Sequence, residues 1–352
     1  MDWLIYGANG YTGKMIVEEA VRRGLRPVLA GRNADALETL GKKYRLPVRA
    51  FALDNPAAVR AGLNGIGLVL HCAGPFSATS APMLEACLDL KAHYLDITGE
   101  IDVFAHCHAQ HARAQKSGIV VLPGSGFDVV PTDCLAAQLK RELPDADSLV
   151  LAFEAGGGPS PGTALTSVEG LGKGGRARID GGVRRVPLAW KTRTFDKDGE
   201  ARFAMTIPWG DVYTAFVSTG IANIETYMGV PPATAKNLRR IRWLGPLLGT
   251  RPVQSYLKKK VAKTVLGPSA EKRADSGTVV WGEVRDAAGK QVFGQLRTPN
   301  GYELTVTASL GIAQRLLTGA RPEGGYYTPS LLMGADYVLS LPGVTGSAFV
   351  AS

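Results

Sequence analysis

Trp3-Leu4-Ile5-Tyr6 is a short apolar run, and Gly7-Ala8-Asn9-Gly10-Tyr11-Thr12-Gly13 follows it without a gap. Residues 14–23 then read as a helix, Gly24 as its stop, and Pro27-Val28-Leu29-Ala30 as a second strand. Strand, glycine loop, helix and strand within about 30 residues is the context that a dinucleotide-binding loop requires. The spacing is G-x-x-G-x-x-G. Gly7 permits the tight turn, Gly10 lets the backbone approach a pyrophosphate, and Gly13 lets the helix pack closely on the strand. Asn9, Tyr11 and Thr12 share the loop, at a helix N-terminus whose free N–H groups and dipole favour an anion.

The end of the second strand selects the cofactor. NAD enzymes usually carry Asp or Glu there for the ribose 2′-hydroxyl. This chain has Gly31-Arg32-Asn33 instead. A carboxylate would repel a 2′-phosphate, whereas the Arg32 guanidinium offers it a planar fork of donors. The expected cofactor is therefore NADP (as NADPH).

The alternation of strand and helix continues to about residue 123. A third strand over 48–53 ends at Asp54, which this fold places beside the adenine. A fourth over 68–73 ends in Cys72-Ala73-Gly74-Pro75-Phe76, at the sheet edge where open α/β folds bind ligands. Helices are expected over 34–44, 81–90 and 104–116. His93-Tyr94-Leu95-Asp96 reads as a fifth strand and Ile119-Val120-Val121-Leu122-Pro123 as a sixth. Ile97-Thr98-Gly99-Glu100 and Gly124-Ser125-Gly126-Phe127-Asp128 follow them. Three loops with Gly and a polar or acidic residue thus converge on one edge. A hydride-transfer site needs a proton donor near the accepting atom. Glu100 and Asp128 lead that search, ahead of Tyr94 and His71, because a partly apolar site raises a carboxyl pKa.

Composition removes other classes. Lys plus Arg is 40 and Asp plus Glu is 31, a formal charge of +9. Nine bases (Lys236, Arg239, Arg240, Arg242, Arg251, Lys258, Lys259, Lys260, Lys263) stand between 236 and 263 with no acid among them. The remaining chain balances at 31 against 31, which argues against a distributed nucleic-acid footprint. Cys72, Cys87, Cys107 and Cys134 form no C-x-x-C pair and read as reduced thiols. His106, Cys107, His108 and His111 resemble a metal cluster. They lack a second ligand group with matched spacing, so no metal is expected. A strand beginning near Trp3 leaves no room for a signal peptide, and no apolar run is long enough to span a membrane. The expected location is cytoplasmic, with peripheral attachment to a membrane open.

From about 131 the pattern changes. A helix over 131–143 leads out, and strands are expected over 148–154, 177–187, 202–208 and 220–229. A hairpin joins 278–286 to 291–298, and a long helix over 301–317 is expected to cover this sheet. Gly156-Gly157-Gly158-Pro159-Ser160-Pro161-Gly162 reads as a lid or linker loop. The expected boundaries are 1–133 for a Rossmann-type, doubly wound parallel α/β domain, 134–325 for an α+β substrate domain, and 326–352 for a segment returning to the first. The substrate is expected between the two. In 236–263, Val253, Leu257, Val261 and Val265 stripe one helix side, and Trp243-Leu244-Gly245-Pro246-Leu247-Leu248 is an apolar tip between arginines. Such a segment suits an anionic membrane surface, an acidic acyl carrier protein or an acyl-CoA, or is a solvated face with the stripe in the core.

Gly7 to Gly13, Cys72-Ala73-Gly74-Pro75-Phe76, Tyr94-Leu95-Asp96-Ile97-Thr98-Gly99-Glu100 and Gly126-Phe127-Asp128-Val129-Val130-Pro131-Thr132-Asp133 together resemble the saccharopine dehydrogenase-like oxidoreductases, in particular their trans-acting enoyl reductase branch. The resemblance implies an NAD(P)-dependent oxidoreductase acting on a small-molecule acyl or lipid-like substrate by reducing a C=C bond. A C–N (imine) oxidoreductase, or a catalytically silent nucleotide-binding protein at a membrane, stays open beside it. So does a homodimer.

Overall fold

Trp3, Leu4, Ile5 and Tyr6 are all buried, so β1 (Asp2–Tyr6) is covered on both faces, as strands of parallel sheets are. The computed structural model describes residues 1–197, 199–319, 322–346 and 349–351. After β1 come α1 (Tyr11–Arg22), β2 (Val28–Gly31), α2 (Ala34–Tyr44), β3 (Val48–Ala50), α3 (Pro56–Gly62), β4 (Ile66–His71), α4 (Phe76–Leu90), β5 (His93–Asp96), α5 (Ile101–Ala109), α6 (His111–Ser117) and β6 (Val120–Leu122). The middle of the chain forms α7 (Val130–Glu142), β7 (Ser148–Ala155), α8 (Pro161–Leu171), β8 (Gly175–Ile179), β9 (Gly182–Val186), β10 (Thr192–Lys197), β11 (Glu200–Thr206), α9 (Asp211–Thr219), β12 (Asn223–Gly229), α10 (Pro232–Ile241), α11 (Gly245–Leu248), α12 (Arg251–Thr264) and α13 (Ala270–Ala274). The last part forms β13 (Thr278–Arg285), β14 (Gln291–Thr298), α14 (Gly301–Thr318), β15 (Gly325–Tyr326), α15 (Pro329–Met333), β16 (Thr345–Gly346) and β17 (Val350–Ala351).

The chain divides into two units, Met1–Val130 with Tyr302–Met333, and Pro131–Gly301 with Gly334–Ser352. These divisions differ from the sequence-based boundaries. The helix α14, expected over the second sheet, belongs to the first unit, and the segment after 326 splits at Met333.

The first unit holds a seven-stranded parallel sheet in the order β15-β6-β5-β4-β1-β2-β3. The order reverses between β1 and β4. Their carboxyl ends therefore open side by side, which is where this fold receives a ligand. Ile5, Leu29, Leu70, Leu95 and Val121 are fully buried in the sheet, each contributing roughly 1.5–3 kcal/mol by leaving water.

The second unit holds a mixed sheet in the order β10-β11-β12-β7-β13-β14-β16. Only β12 and β7 run parallel along that order. Leu135 and Leu139 of α7 pack onto Gly282 so closely that a Cβ there would stand 2.5 Å from Leu139 Cδ1. Trp281, fully buried, stacks on Phe195 at 5.5 Å and donates its indole N–H to Asp196 O at 2.8 Å. The expected single strand over 177–187 is a hairpin, β8 and β9, turning at Asp180 (φ 49°) and Gly181 (φ 75°). The sequence reading assigned nothing to β10 or α9.

Candidate functional site

Gly7 takes φ 83°, open to glycine without strain, and its N–H donates to Ala30 O at 2.8 Å. A Cβ at Gly7 would stand 2.9 Å from the Ala73 Cβ, so the loop after β1 and the loop after β4 touch. Gly13 is tighter still: a Cβ there would lie 2.1 Å from Gly7 O. Gly10 is the N-cap of α1, and no side chain caps that helix end. That helix end, at the mouth of the glycine loop, is where N–H groups and the helix dipole favour an anion. This cradle, closed to any side chain and left uncapped, fits a dinucleotide pyrophosphate.

The other expected cofactor residues line the same edge. Gly31 ends β2, and a Cβ on it would meet Asn9 Oδ1 at 3.1 Å. Arg32 is exposed. Asn33 spends its Oδ1 on the α2 cap, accepting from Ala36 N at 3.0 Å. Asp54 is exposed just past β3. Tyr6, at the end of β1, donates its hydroxyl to Phe51 O at 2.9 Å. Burial pushes its phenol up to about 12, with the charge of Arg32 opposing and that of Asp54 adding to the shift. Cys72, Ala73, Gly74 and Pro75 join β4 to α4. Cys72 N donates to Tyr6 O at 2.7 Å, and burial raises its thiol, so it stays protonated.

The acidic groups cluster beside this loop. Asp96, at the end of β5, is fully buried. It accepts from Tyr94 OH at 2.7 Å, Thr98 N at 3.0 Å and Gly124 N at 2.9 Å, and burial still raises it to about 6. The Asp128 carboxyl packs on Gly99 and is raised to about 7, first by burial and then by the charges of Glu100 and Asp96. Glu100 reaches back to the start of α4, accepting from Phe76 N at 2.8 Å and Ser77 N at 2.9 Å. That non-local cap lets α4 begin at Phe76 rather than near residue 81. Two N–H donors at a helix N-terminus favour the ionised carboxylate.

The two other candidate donors are poorly suited to give up a proton near neutrality. His71 is fully buried, bonded to Thr79 Oγ1 at 3.0 Å, and desolvation pushes it down to about 3. The Tyr94 hydroxyl is buried against Asp96 and raised well above its usual value. Sequence reading missed Asp96 as an electrostatic partner, and set the helix over 301–317, α14, on the other sheet. Tyr302 meets Tyr11 edge-on at 5.1 Å, and Thr305 Oγ1 accepts from Phe127 N at 3.0 Å. Only the side chains of a distant helix reveal these contacts. His111 Nδ1 accepts from Tyr326 N at 3.0 Å and the His108 ring lies 4.7 Å from the Tyr326 ring, tilted by 32°, so both brace β15 rather than face water alone. Among the described residues no group of His, Cys, Asp or Glu is placed to hold a metal ion, and no helix is long and apolar enough to cross a membrane.

Residues 3–122 match the model of the saccharopine dehydrogenase NADP binding domain. A provisionally named mitochondrial saccharopine dehydrogenase-like oxidoreductase of Arabidopsis thaliana is 32% identical over 149 residues, 38% of this chain and 33% of that protein. A provisionally named trans-acting enoyl reductase of Mycobacterium tuberculosis is 29% identical over 192 residues, 48% of this chain and 44% of that protein. The chain thus spans less than half the length of these relatives. The apo structure of saccharopine dehydrogenase (L-Glu forming) from Saccharomyces cerevisiae superposes with a TM-score of 0.67 at 11% identity, over 99% of this chain and all of that one, which establishes a shared fold. The family model and the glycine cradle fall on the same residues, and so this chain carries, over residues 3–122, the NADP-binding domain of the saccharopine dehydrogenase family and with it a nicotinamide cofactor site.

Proposed function

We propose that this protein is an NADPH-dependent oxidoreductase that reduces a C=C bond of an acyl or lipid-like substrate, with Asp128 as proton donor. The observation that carries the reading is Asp128 itself. It stands at the carboxyl edge of the cofactor-binding sheet with a pKa raised to about 7, so it keeps a proton near neutrality. The Gly7–Gly13 loop and Arg32 would hold NADPH, which when bound would supply the hydride. Asp128 supplies the proton to the neighbouring carbon and recovers one from water. Glu100, fixed on Phe76 and Ser77, holds the Gly74–Pro75 loop in place and keeps Asp128 protonated through its charge.

The second unit supports an uncharged substrate over one with several carboxylates. A cleft of about 400 Å³ on its sheet is lined by Lys191, Arg193 and Arg285 among others, and each of these pairs with Glu225 or Glu283. The test is NADPH oxidation across enoyl, imine and keto substrates by the wild type and Asp128→Asn. Enoyl turnover that falls about 10²–10⁴-fold in Asp128→Asn supports the reading. Turnover of imines alone, or an unchanged rate in Asp128→Asn, overturns it.

A further inference from the structure

Large apolar side chains are exposed in one short stretch of the second unit. Trp243 is 78% exposed, Leu244 50%, Leu247 56%, Tyr256 67% and Leu266 82%. Elsewhere exposed large apolar side chains are scattered singly, which needs no explanation. It overlaps residues 236–263, which hold the whole basic excess of the chain. Lys258 pairs with Glu169, and Arg239 donates to Ala189 O at 2.8 Å. Lys236, Arg240, Arg242, Arg251, Lys259, Lys260 and Lys263 have no carboxylate partner among the described residues.

The apolar stripe of α12 is not the exposed part. Val253, Leu257 and Val261 are half-buried, on a helix anchored to α8 by Gln254 Nε2 donating to Val168 O at 2.9 Å and by Lys258 on Glu169. The outer side of α12 instead presents Tyr256, Lys259, Lys260 and Lys263, spaced i, i+3, i+4 and i+7. Just before it, Trp243, Leu244 and Leu247 project from a short helical turn, with the Arg242 guanidinium 5.2 Å from the Trp243 ring.

We infer that residues 240–266 dock this protein on the surface of an anionic phospholipid bilayer. Aromatic and leucine side chains enter the headgroup region while the surrounding Lys and Arg meet lipid phosphates. A projecting apolar turn suits a fluid interface, which closes around it. A folded acidic protein would need a pocket for Trp243. With no described helix able to cross a bilayer, the attachment is peripheral.

The experiment is sedimentation of the full chain with phosphatidylserine-containing vesicles and with pure phosphatidylcholine vesicles, at low and high salt. Binding is expected to the former only, and to weaken with salt. Lys259→Gln with Lys260→Gln and Lys263→Gln is expected to lower partition by about fivefold per charge. Trp243→Ala is expected to lower it about tenfold, since it removes the largest inserted side chain. Far-UV circular dichroism and the thermal unfolding midpoint report whether each variant is folded. No binding to anionic vesicles at low salt, or equal binding by both folded variants, overturns the inference. So does an acidic acyl carrier protein that binds wild type and not the variants while vesicles do not bind. None of these readouts uses turnover, so the outcome is separate from that of the proposed reaction.

Discussion

Asp128 lays its carboxyl group against Gly99: a Cβ on Gly99 would stand 3.2 Å from Asp128 Cγ and 3.3 Å from Oδ2. The absent side chain fixes where the proton sits. Gly99→Ala must push Asp128 by a few tenths of an ångström. Since misplacement of this order already costs rate, turnover is expected to fall about tenfold while NADPH affinity stays unchanged. Steady-state kinetics and a cofactor titration on the same variant check both halves. An unchanged rate would detach Asp128 from the chemistry.

The pH dependence follows from the same carboxyl. In the proposed reaction the protonated form of Asp128 is the active one, so turnover is expected to hold below about pH 7 and to fall as pH rises through it. Because Asp96 and Glu100 are coupled to it, the profile reports the cluster. Glu100→Gln removes one negative charge, so the falling limb is expected to move to lower pH. A limb that stays in place would show that Glu100 has no electrostatic hold on the donor.

Stability responds with a definite sign. Asp128 and Asp96 have folded pKa values, about 7 and about 6, above the 3.8 of an exposed carboxyl. Their protonated forms favour the folded state. That contribution is complete below about pH 4 and is lost as pH rises through 6–7. Asp128→Asn removes its share of the loss. Its Tm is expected to exceed that of the wild type by roughly 2 °C or more at about pH 8, with the advantage gone at about pH 4. A calorimetric scan at both values decides it.

Much of this was legible beforehand, and the exceptions have physical reasons. Local chemistry announced the β1–α1 turn, the helix Ala34–Tyr44 and the strand His93–Asp96, because their glycines, caps and apolar runs lie within a few residues. The start of α4 was misplaced because its cap, Glu100, comes from 24 residues away. The Asp180-Gly181 turn is a strong local hairpin signal, and reading 177–187 as one strand overlooked it. The placement of α14 against Tyr11 and Phe127 rests on contacts across more than 170 residues. Periodicity shows that such a helix has an apolar side, not which sheet it covers.

The tightest local constraint is at Gly13. An alanine Cβ would lie 2.1 Å from Gly7 O and 3.0 Å from the Ala8 Cα, all backbone that cannot swing away. Gly13→Ala is expected to lose NADPH binding and to lower Tm more than Gly10→Ala, whose nearest contact is 3.1 Å. Equal behaviour of the two variants would mean that α1 can slide along β1.

Arg32 is the residue proposed to select between the two nicotinamide cofactors. It is exposed immediately after β2, and its charge reaches Tyr6 at the end of β1, so it stands at the mouth of the cradle. No carboxylate occupies the Gly31-Arg32-Asn33 turn to hold a ribose 2′-hydroxyl, and the Asn33 Oδ1 is already bound to Ala36 N. A guanidinium on a 2′-phosphate makes charge-assisted hydrogen bonds worth about 1.5–3 kcal/mol, or about 10- to 100-fold in affinity. Arg32→Ala is therefore expected to weaken NADPH by that factor and to leave NADH nearly unchanged, since NADH offers no phosphate at that position. Isothermal titration with both nucleotides measures the difference directly. If NADH binds the wild type as tightly as NADPH and the variant alters neither, selection lies in residues other than Arg32.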